Sequence, residues 1–226
     1  MNKNINLIIV AMEEELSCLL EQIEYQTIKI GEETRYIFNK NNEEYLICLG
    51  KIGKVNTAFY LGQLSKEYNI KKIYNIGTSG GIATCLNICD VVIANAVKYL
   101  DVDVTGFNYE LGQIPGSPVE FICDTSFLNK RLITNGFNLH IGLIGSTDSF
   151  ITKKNLNSFP IEKSKPLAME MESGAVLQVA NKLKIPAVVI RSISDIVTRE
   201  NNSKDFDLNL KKSCRNCVNI LLQIID

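Results

Sequence analysis

Six apolar runs of β-type residues alternate with segments of helical periodicity, and this alternation constrains the fold more than any other feature of the chain. The runs are NLIIVA, EYLICLG, KIYNIG, DVVIANAV, HIGLIGS and PAVVIRSIS. Several are continuous, which is typical of strands that are buried on both faces of a sheet with parallel pairs. Helical spacing predicts helices over 14–23, 55–68, 125–136, 173–183 and 206–225. The pattern predicts an α/β fold.

A hairpin is expected near the N-terminus, because Gly31, Glu32 and Glu33 separate two β-rich segments of YQTIKIGEETRYIFN. The sheet is therefore expected to be mixed. Segment 98–120 has the composition of a long aromatic loop, and such loops in compact proteins commonly serve function. No Pro/Gly/Ser-rich stretch or charge block divides the 226 residues, so we expect one domain over 1–226.

The charge balance argues against nucleic-acid and membrane partners. The formal net charge is −1, and the Lys and Arg residues are scattered rather than clustered. The N-terminal apolar run stops at three glutamates, which makes it too short for a signal peptide or a membrane span. Seven dispersed cysteines, an odd number, predict reduced thiols. We expect a cytoplasmic protein whose partner is a small molecule or another protein.

Acids and hydroxyls occupy the positions that follow the β-type runs. Ligands of open α/β sheets lie beyond the carboxyl ends of strands, so these are candidate site residues. The segments are 12–15, 78–81, 147–150, Glu172 and 193–195. Each also has a plainer interpretation: the glutamates of 13–15 suit a helix N-terminus, GTSGG suits a tight turn, and Asp195 suits a helix cap.

The stretch PLAMEMESGA, at 166–175, places Glu170 and Glu172 where a β-type run meets a helical one. A carboxylate at that point does not contribute to an apolar core. We expect Glu172 to lie at a strand-to-helix junction, with Met171 on a pocket wall. Glu170 is expected to be structural or to support the site from behind.

Neither common nucleotide-phosphate motif is present. The glycines of GTSGG do not fit G-x-G-x-x-G, and CLGKIGKV lacks the spacing and hydroxyl residue of a P-loop. Cys214 and Cys217 have no second pair at zinc-site spacing, and Cys85 and Cys89 are four residues apart. We therefore expect no metal and no cofactor. For His140, the single histidine, we expect a surface or pairing role.

Seven short motifs run in order along nearly the whole chain: AMEEEL, GKVNTA, NIGTSGGI, DVDVTGFNYELGQIPG, GSTDSFI, AMEMESGAV and VVIRSISD. Together they resemble the 5′-methylthioadenosine/S-adenosylhomocysteine nucleosidases of the purine nucleoside phosphorylase-like superfamily. The resemblance implies a three-layer α/β/α sandwich around a central mixed sheet. It also implies a homodimer with active sites near the subunit interface, and metal-free hydrolysis that releases adenine and a 5-thio-substituted ribose.

The resemblance implies three carboxylate roles. Glu15 matches the base that activates water, Glu172 matches the ribose-binding glutamate, and Asp195 matches the acid that protonates adenine at N7. Thr78 and Arg191 match positions around the nucleophilic water. Ser194 matches the partner of the catalytic aspartate.

Pocket walls follow from the same resemblance. Phe150 is expected to stack on the base, and the backbone at Phe150 and Ile151 matches the segment that reads adenine. Ser79 and Gly80 are further substrate-binding positions. Apolar walls around the ribose and its 5′ substituent are expected at Met12, Ile52, Met171 and Phe206. The loop that closes the pocket from the other subunit is expected at Val104, Phe107, Tyr109 and Pro115.

Two departures stand out, since Lys51 replaces a usual glycine and Ser79 a common alanine.

The chemistry of such a cleavage agrees with these residue types. Breaking an N-glycosidic bond to adenine leaves positive charge on the ribose and negative charge on the base. Asp195 must be protonated to act as acid, which requires burial to raise its pKa. Glu15 must be ionised to accept a proton, and Glu172 would orient the ribose hydroxyls and offset the sugar's charge.

Three alternatives remain at this stage. A phosphorylase would use phosphate instead of water, but only Arg191 of the five arginines lies at a predicted strand end. A non-catalytic nucleoside-binding or storage protein could share the fold. A related hydrolase could act on 5′-deoxyadenosine, deoxyadenosine or aminofutalosine.

Overall fold

The computed structural model describes residues 3–31 and 33–226, and its core is a mixed sheet with helices on both faces. The strands are β1 Lys3–Val10, β2 Gln26–Ile30, β3 Glu33–Lys40, β4 Glu43–Leu49, β5 Tyr68–Gly81, β6 Val91–Tyr99, β7 Phe121–Ile122, β8 Leu139–Ser146, β9 Ala168–Glu170 and β10 Ala187–Ile196. The α-helices are α1 Glu13–Leu20, α2 Lys54–Glu67, α3 Ile161–Ser164, α4 Ser173–Leu183 and α5 Asn202–Ile225.

The strand order is β10-β6-β8-β9-β5-β1-β4-β3-β2, with β7 paired to β6. β10 also pairs with β5, so five of these strands close into a ring. Parallel pairs such as β1 with β5 and antiparallel pairs such as β6 with β10 occur together. The predicted mixed sheet is confirmed. The β2–β3 hairpin also forms, although its turn residue Glu32 lies outside the described residues.

Two apolar cores lie on opposite faces of the sheet and produce the three layers. Leu61 and Leu64 of α2 pack with Val176 and Leu177 of α4 in one core. Leu16 and Leu19 of α1 join Val218, Leu221 and their neighbours on α5 in the other. The predicted α/β/α sandwich is therefore confirmed. None of the helices in the described residues combines the length and the apolar character needed to cross a bilayer.

The predicted helix over 125–136 is wrong, because that segment forms separate turns. The Leu128 N–H donates to the Thr125 carbonyl and the Lys130 N–H to the Phe127 carbonyl, so these bonds close turns of i to i+3 spacing rather than α-helical turns. Farther along, the Gln223 side chain of α5 binds both the N–H and the C=O of Ile133. The α5 side chain thus replaces helical hydrogen bonds for the Ile133 backbone. Phe127 is buried in the core although its segment is not helical.

β10 extends past the predicted strand end and contains Asp195, which was expected just beyond it. Ile193 pairs with Ser79 and Asp195 pairs with Gly80, so Ser194 is an extra residue in the ladder. Such a bulge turns side chains away from their regular alternation. The bulge therefore explains how Ser194 and Asp195 both reach the same cleft.

Lys51 adopts a left-handed backbone conformation, with φ of 62°. This is the position at which the resembled family usually carries glycine, so the unusual residue retains the backbone that glycine would favour. Ile52 follows it on the wall of a cleft, and the N–H of Gly53 donates to Glu172.

We expect Lys51→Gly to stabilise the fold by about 0.5–1 kcal/mol, because it removes the cost of a side chain in the left-handed region. Urea denaturation, analysed with the same dependence of the unfolding free energy on urea concentration for both proteins, measures the change in stability. Lys182→Gly, within α4, is the matched control and should destabilise by about 1 kcal/mol. Equal losses in both variants would contradict a strained Lys51.

Candidate active site

A cleft that is open to solvent lies at the ends of β1, β5, β9 and β10. Its wall contains four carboxylates and, among the described residues, no Lys or Arg. The lining residues are Ala11, Met12, Glu15, Ile52, Thr78, Ser79, Gly80, Ser149, Phe150, Ile151, Met169, Glu170, Met171, Glu172, Ser194, Asp195, Val197 and Phe206. Thirteen of the eighteen predicted site residues line this cleft, all but Arg191 and the four residues of the loop at 104–115.

Glu15 lies in the first turn of α1 and is held by backbone donors. Its Oε2 accepts from the N–H groups of Ala11 at 3.0 Å and Met12 at 3.2 Å, and its Oε1 accepts from the Thr78 N–H at 2.8 Å. Burial raises the pKa of Glu15, while the Arg191 charge and these backbone donors oppose the rise. A buried carboxylate with a raised pKa is suited to accept a proton near neutral pH.

Gly77 makes this position possible. A Cβ at residue 77 would lie 2.6 Å from Oε1 of Glu15, closer than any real contact. Glu15 therefore packs directly on the backbone of β5. Glu13 and Glu14 are exposed instead, so Glu15 is the one of these three glutamates that lines the cleft.

Glu170 and Glu172 lie at the predicted junction between β9 and α4, and their environments differ. Glu170 accepts from the Ser173 N–H at 2.7 Å and from Arg191 Nη2 at 2.6 Å. Although burial opposes it, the Arg191 charge and the Ser173 donors hold the pKa of Glu170 below its usual range. Glu170 therefore stays ionised and stabilises the start of α4, a structural role in agreement with the sequence.

Glu172 has fewer partners. Its Oε1 accepts from the Gly53 N–H at 3.0 Å, and its Oε2 is 3.9 Å from Arg191 Nη2. Burial, followed by the negative charge of Glu170, raises the pKa of Glu172 to about 8. Glu172 therefore has fewer protein donors than Glu15 or Glu170.

We expect Glu172→Gln to stabilise the ligand-free protein at alkaline pH. A carboxyl whose folded pKa exceeds its unfolded value favours folding below the unfolded pKa, and that contribution is lost as pH rises through about 8. At pH 9 the variant should gain about 1–2 kcal/mol, or roughly 2–8 °C in Tm. The gain should shrink as pH falls towards 5.

Scanning calorimetry at pH 5, 7 and 9 measures this dependence. Glu162→Gln on α3, with its carboxylate outside the cleft, is the control and should show no such trend. A Tm difference that is the same at every pH would contradict the raised pKa of Glu172.

Arg191 does not line the cleft, although it was predicted beside the nucleophilic water. It is 1% exposed, and its Nη2 also donates to Asn75 Oδ1 at 2.6 Å. The guanidinium lies behind the wall, where it holds Glu170. Thr78, the other residue predicted there, does line the cleft and donates its N–H to Glu15.

Asp195 is 1% exposed and accepts a hydrogen bond on each carboxyl oxygen. Ser194 Oγ donates to Oδ1 at 2.8 Å, and Asn202 Nδ2 donates to Oδ2 at 2.7 Å. Burial raises the pKa of Asp195, and the Asn202 and Ser194 hydrogen bonds oppose it. The predicted serine partner is present, and Asp195 has the buried environment that a protonated aspartate requires.

Sequence reasoning missed Asn202, the second partner of Asp195. It lies within the polar stretch TRENNSKD, where nothing distinguishes it from solvent-exposed neighbours. The only available signal was its place at the start of a strongly amphipathic helix, one turn before Phe206. In the structure it is 3% exposed.

Aromatic and apolar side chains form the remaining walls. Phe150 and Phe206 contact edge to face, with ring centroids 5.8 Å apart and planes at 84°. Phe150 keeps 43% of its surface exposed, so a ring face is available for stacking. Met12, Ile52 and Met171 line the cleft with them, as predicted for the apolar walls.

The remaining predicted groups lie elsewhere. His140 Nε2 is 3.3 Å from Asp90 Oδ2, a pairing role as expected. All seven cysteines are free thiols; Cys214 and Cys217 are buried on α5, Cys85 is exposed and Cys89 is buried. In the part of the chain that the structure describes, no group of three or more His, Cys, Asp or Glu side chains is arranged to hold a metal ion.

Comparisons with known proteins agree on one family. The model of the phosphorylase superfamily matches residues 7–226. A 5′-methylthioadenosine/S-adenosylhomocysteine nucleosidase of Bacillus cereus (strain G9842) is 36% identical, with 97% of each chain covered. A Borrelia burgdorferi B31 protein assigned to the same activity, solved with adenine, has a TM-score of 0.90 at 33% identity, covering 98% of this chain and 99% of that one. The S. pneumoniae nucleosidase, solved with the transition-state inhibitor MT-ImmA, has a TM-score of 0.89 at 30% identity, covering 98% of each chain.

Proposed function

Because this chain belongs to the 5′-methylthioadenosine/S-adenosylhomocysteine nucleosidase family of the phosphorylase superfamily, we propose that Glu15, Glu172 and Asp195 carry out its N-glycosidic cleavage. The enzyme is a nucleosidase that hydrolyses 5′-methylthioadenosine and S-adenosylhomocysteine to adenine and the 5-substituted ribose. The observation that carries the assignment of roles is the difference in environment among the cleft carboxylates.

Asp195 is the acid at adenine N7. Its burial favours the protonated form, and each of its oxygens retains a lone pair beyond the one used by Ser194 or Asn202. Proton transfer to N7 neutralises the charge that develops on the departing base. Ile151 and Phe150, on the same wall, supply the backbone and ring face for the purine.

Glu15 is the base that takes a proton from water. Glu15 contacts Thr78 on β5, while the Asp195 carboxyl lies against Gly80 of the same strand. Positions two residues apart along a strand are separated by roughly 7 Å. Base and acid thus contact β5 at different positions along the same cleft wall, and the sugar and the attacking water would lie between them.

Glu172 binds the ribose hydroxyls. Two hydroxyl donors would add to the one hydrogen bond that its carboxylate accepts from the protein, and would thereby favour its ionised form. The ionised group then lies beside the sugar as positive charge develops there. Substrate binding and charge stabilisation are thus combined in one residue.

Water rather than phosphate is the acceptor, because the cleft offers no free cation for a phosphate. Arg191 is engaged by Glu170 and Asn75, and the described lining residues include no other basic side chain. Phosphate-binding sites generally use arginine or lysine donors. Glu15, in the ionised form that a base requires, would further repel a phosphate anion.

A substrate panel tests the assignment. Methylthioadenosine, S-adenosylhomocysteine, 5′-deoxyadenosine, adenosine and inosine are each incubated with the protein, and free base is measured by chromatography. We expect adenine from the first two and no hypoxanthine from inosine. Tight methylthioadenosine binding without adenine release would instead support a non-catalytic binding protein.

The same proposal includes a cytoplasmic homodimer whose residues 1–226 form one domain. Val55 and Phe107 each expose 79% of their surface and Phe59 exposes 70%, a large apolar area on α2 and the loop at 104–115. Val104, Phe107, Tyr109 and Pro115 do not line the cleft of their own chain, which is consistent with closing that of a partner.

Seven free thiols suit a reducing compartment, in agreement with the proposed cytoplasmic location. Light scattering tests the dimer, and an active monomer at micromolar concentration would contradict it.

A further inference from the structure

Asn202 joins two groups on the base side of the cleft through a single amide nitrogen. Its Nδ2 donates to Asp195 Oδ2 at 2.7 Å and to the carbonyl oxygen of Ile151 at 2.9 Å. A carboxamide nitrogen carries two hydrogens, so both are used. Asn202 itself is 3% exposed and does not line the cleft, whereas both of its partners do. It therefore holds the two lining groups from behind.

The backbone alone does not fix these partners relative to each other. Asp195 lies on β10, while Ile151 lies in the loop after β8, and β6 separates those two strands in the sheet. Asn202 belongs to a third element, the first turn of α5. Its amide is thus a direct link between the catalytic strand and the loop.

A helix-capping role does not account for Asn202. α5 has no side-chain hydrogen bond at its N-cap, and the Asn202 nitrogen donates away from the helix rather than accepting from its free N–H groups. Phe206, one turn later on the same helical face, lines the cleft beside Phe150. The first turn of α5 is therefore oriented towards the base side of the cleft.

We propose that Asn202 is a positioning residue for the nucleosidase reaction, which sets the general acid Asp195 and the Ile151 carbonyl at the separation that one purine base spans. This inference rests on the proposed function. Small displacements of a reacting group have large effects on rate, so a buried link between the proton donor and the base-reading backbone has a direct kinetic consequence.

A second consequence concerns pH. The Asn202 hydrogen bond favours ionised Asp195 and opposes the effect of burial on its pKa, as does the Ser194 hydroxyl. The charged group that acts on Asp195 is Asp205, also on the first turns of α5, and it raises the Asp195 pKa. Loss of the Asn202 donor should therefore keep Asp195 protonated to higher pH.

The test is Asn202→Leu, which keeps a similar volume and removes both hydrogen bonds. We expect kcat for methylthioadenosine to fall on the order of 10- to 100-fold, and the alkaline limb of kcat/KM to move to higher pH. Ser203→Ala, an exposed neighbour in the same turn, is the matched control and should leave both unchanged. Asn202→Ser, which is shorter and cannot bridge both acceptors, replaces the leucine variant if that one does not fold.

Wild-type kcat and the same pH profile in a folded variant with a lowered Tm would show a merely structural role and overturn the inference. Failure of the proposed function is distinguishable, because the wild-type protein would then release no adenine in the same assay. An active wild type with an equally active Asn202→Leu variant would refute only the role of Asn202.

Discussion

Asp195→Asn should lower turnover of methylthioadenosine on the order of 10²- to 10⁴-fold, the range for loss of a general acid. Asparagine has the same shape, and with its oxygen towards Asn202 and its NH₂ group towards the Ser194 hydroxyl, which can also accept, both hydrogen bonds are retained and the fold should persist. It cannot deliver a proton to adenine N7. Because the buried acid must be protonated to act, the alkaline limb of the wild-type pH profile should also disappear with it.

Steady-state kinetics from pH 5 to 10, with circular dichroism as a check on folding, measure this effect. Asp207→Asn is the control, since it makes the same chemical change at an exposed position of α5 outside the cleft and should keep near-full turnover. An Asp195→Asn enzyme within tenfold of wild type, with an unchanged alkaline limb, would rule out Asp195 as the acid.

Glu15→Gln should have an effect of similar size, on the order of 10²- to 10⁴-fold in kcat. The amide cannot accept a proton from water, and its NH₂ group would face the N–H donors of Ala11 and Met12 or of Thr78. A modest fall in Tm is therefore also expected. Because wild-type Glu15 must be ionised, activity should fall as pH drops through its raised pKa, and the variant should lack that acidic limb.

Glu14→Gln is the matched control, because Glu14 is exposed on the same helical turn. Its rate and pH profile should equal those of wild type. If both glutamine variants lost activity equally, the effect would belong to the charge of the α1 N-terminus rather than to a base. Retained activity in Glu15→Gln alone would remove Glu15 from the mechanism.

The sequence was most informative for elements whose bounds and buried face depend on their own residues alone. α4 begins and ends at the predicted residues, since its apolar stripe alone specifies the buried face. The predicted strand-to-helix junction is also present, with Glu170 at the end of β9 and Glu172 at the residue before α4. Motif order along the chain indicated the family, which the comparisons confirm.

The misses share a different physical cause, namely partners supplied by distant segments. Residues 125–136 have helical periodicity, but Gln223 on α5 binds the Ile133 backbone in place of a helical turn. For Arg191, whose predicted role stays a prediction, the apolar run before it does not show that Glu170 and Asn75 bind its guanidinium. Asn202 contacts Asp195 and Ile151, which lie on a strand and a loop from other parts of the fold. Local patterns contain none of these contacts.

Product analysis in phosphate-free and phosphate-containing buffer tests the central claim most directly. Methylthioadenosine is incubated with the protein under both conditions, and the base and sugar products are separated and identified. We expect equal rates of adenine release, with free 5-methylthioribose as the sugar product in both buffers. Release that requires phosphate, with a sugar 1-phosphate as product, would contradict water activation by Glu15 and hydrolysis by this cleft.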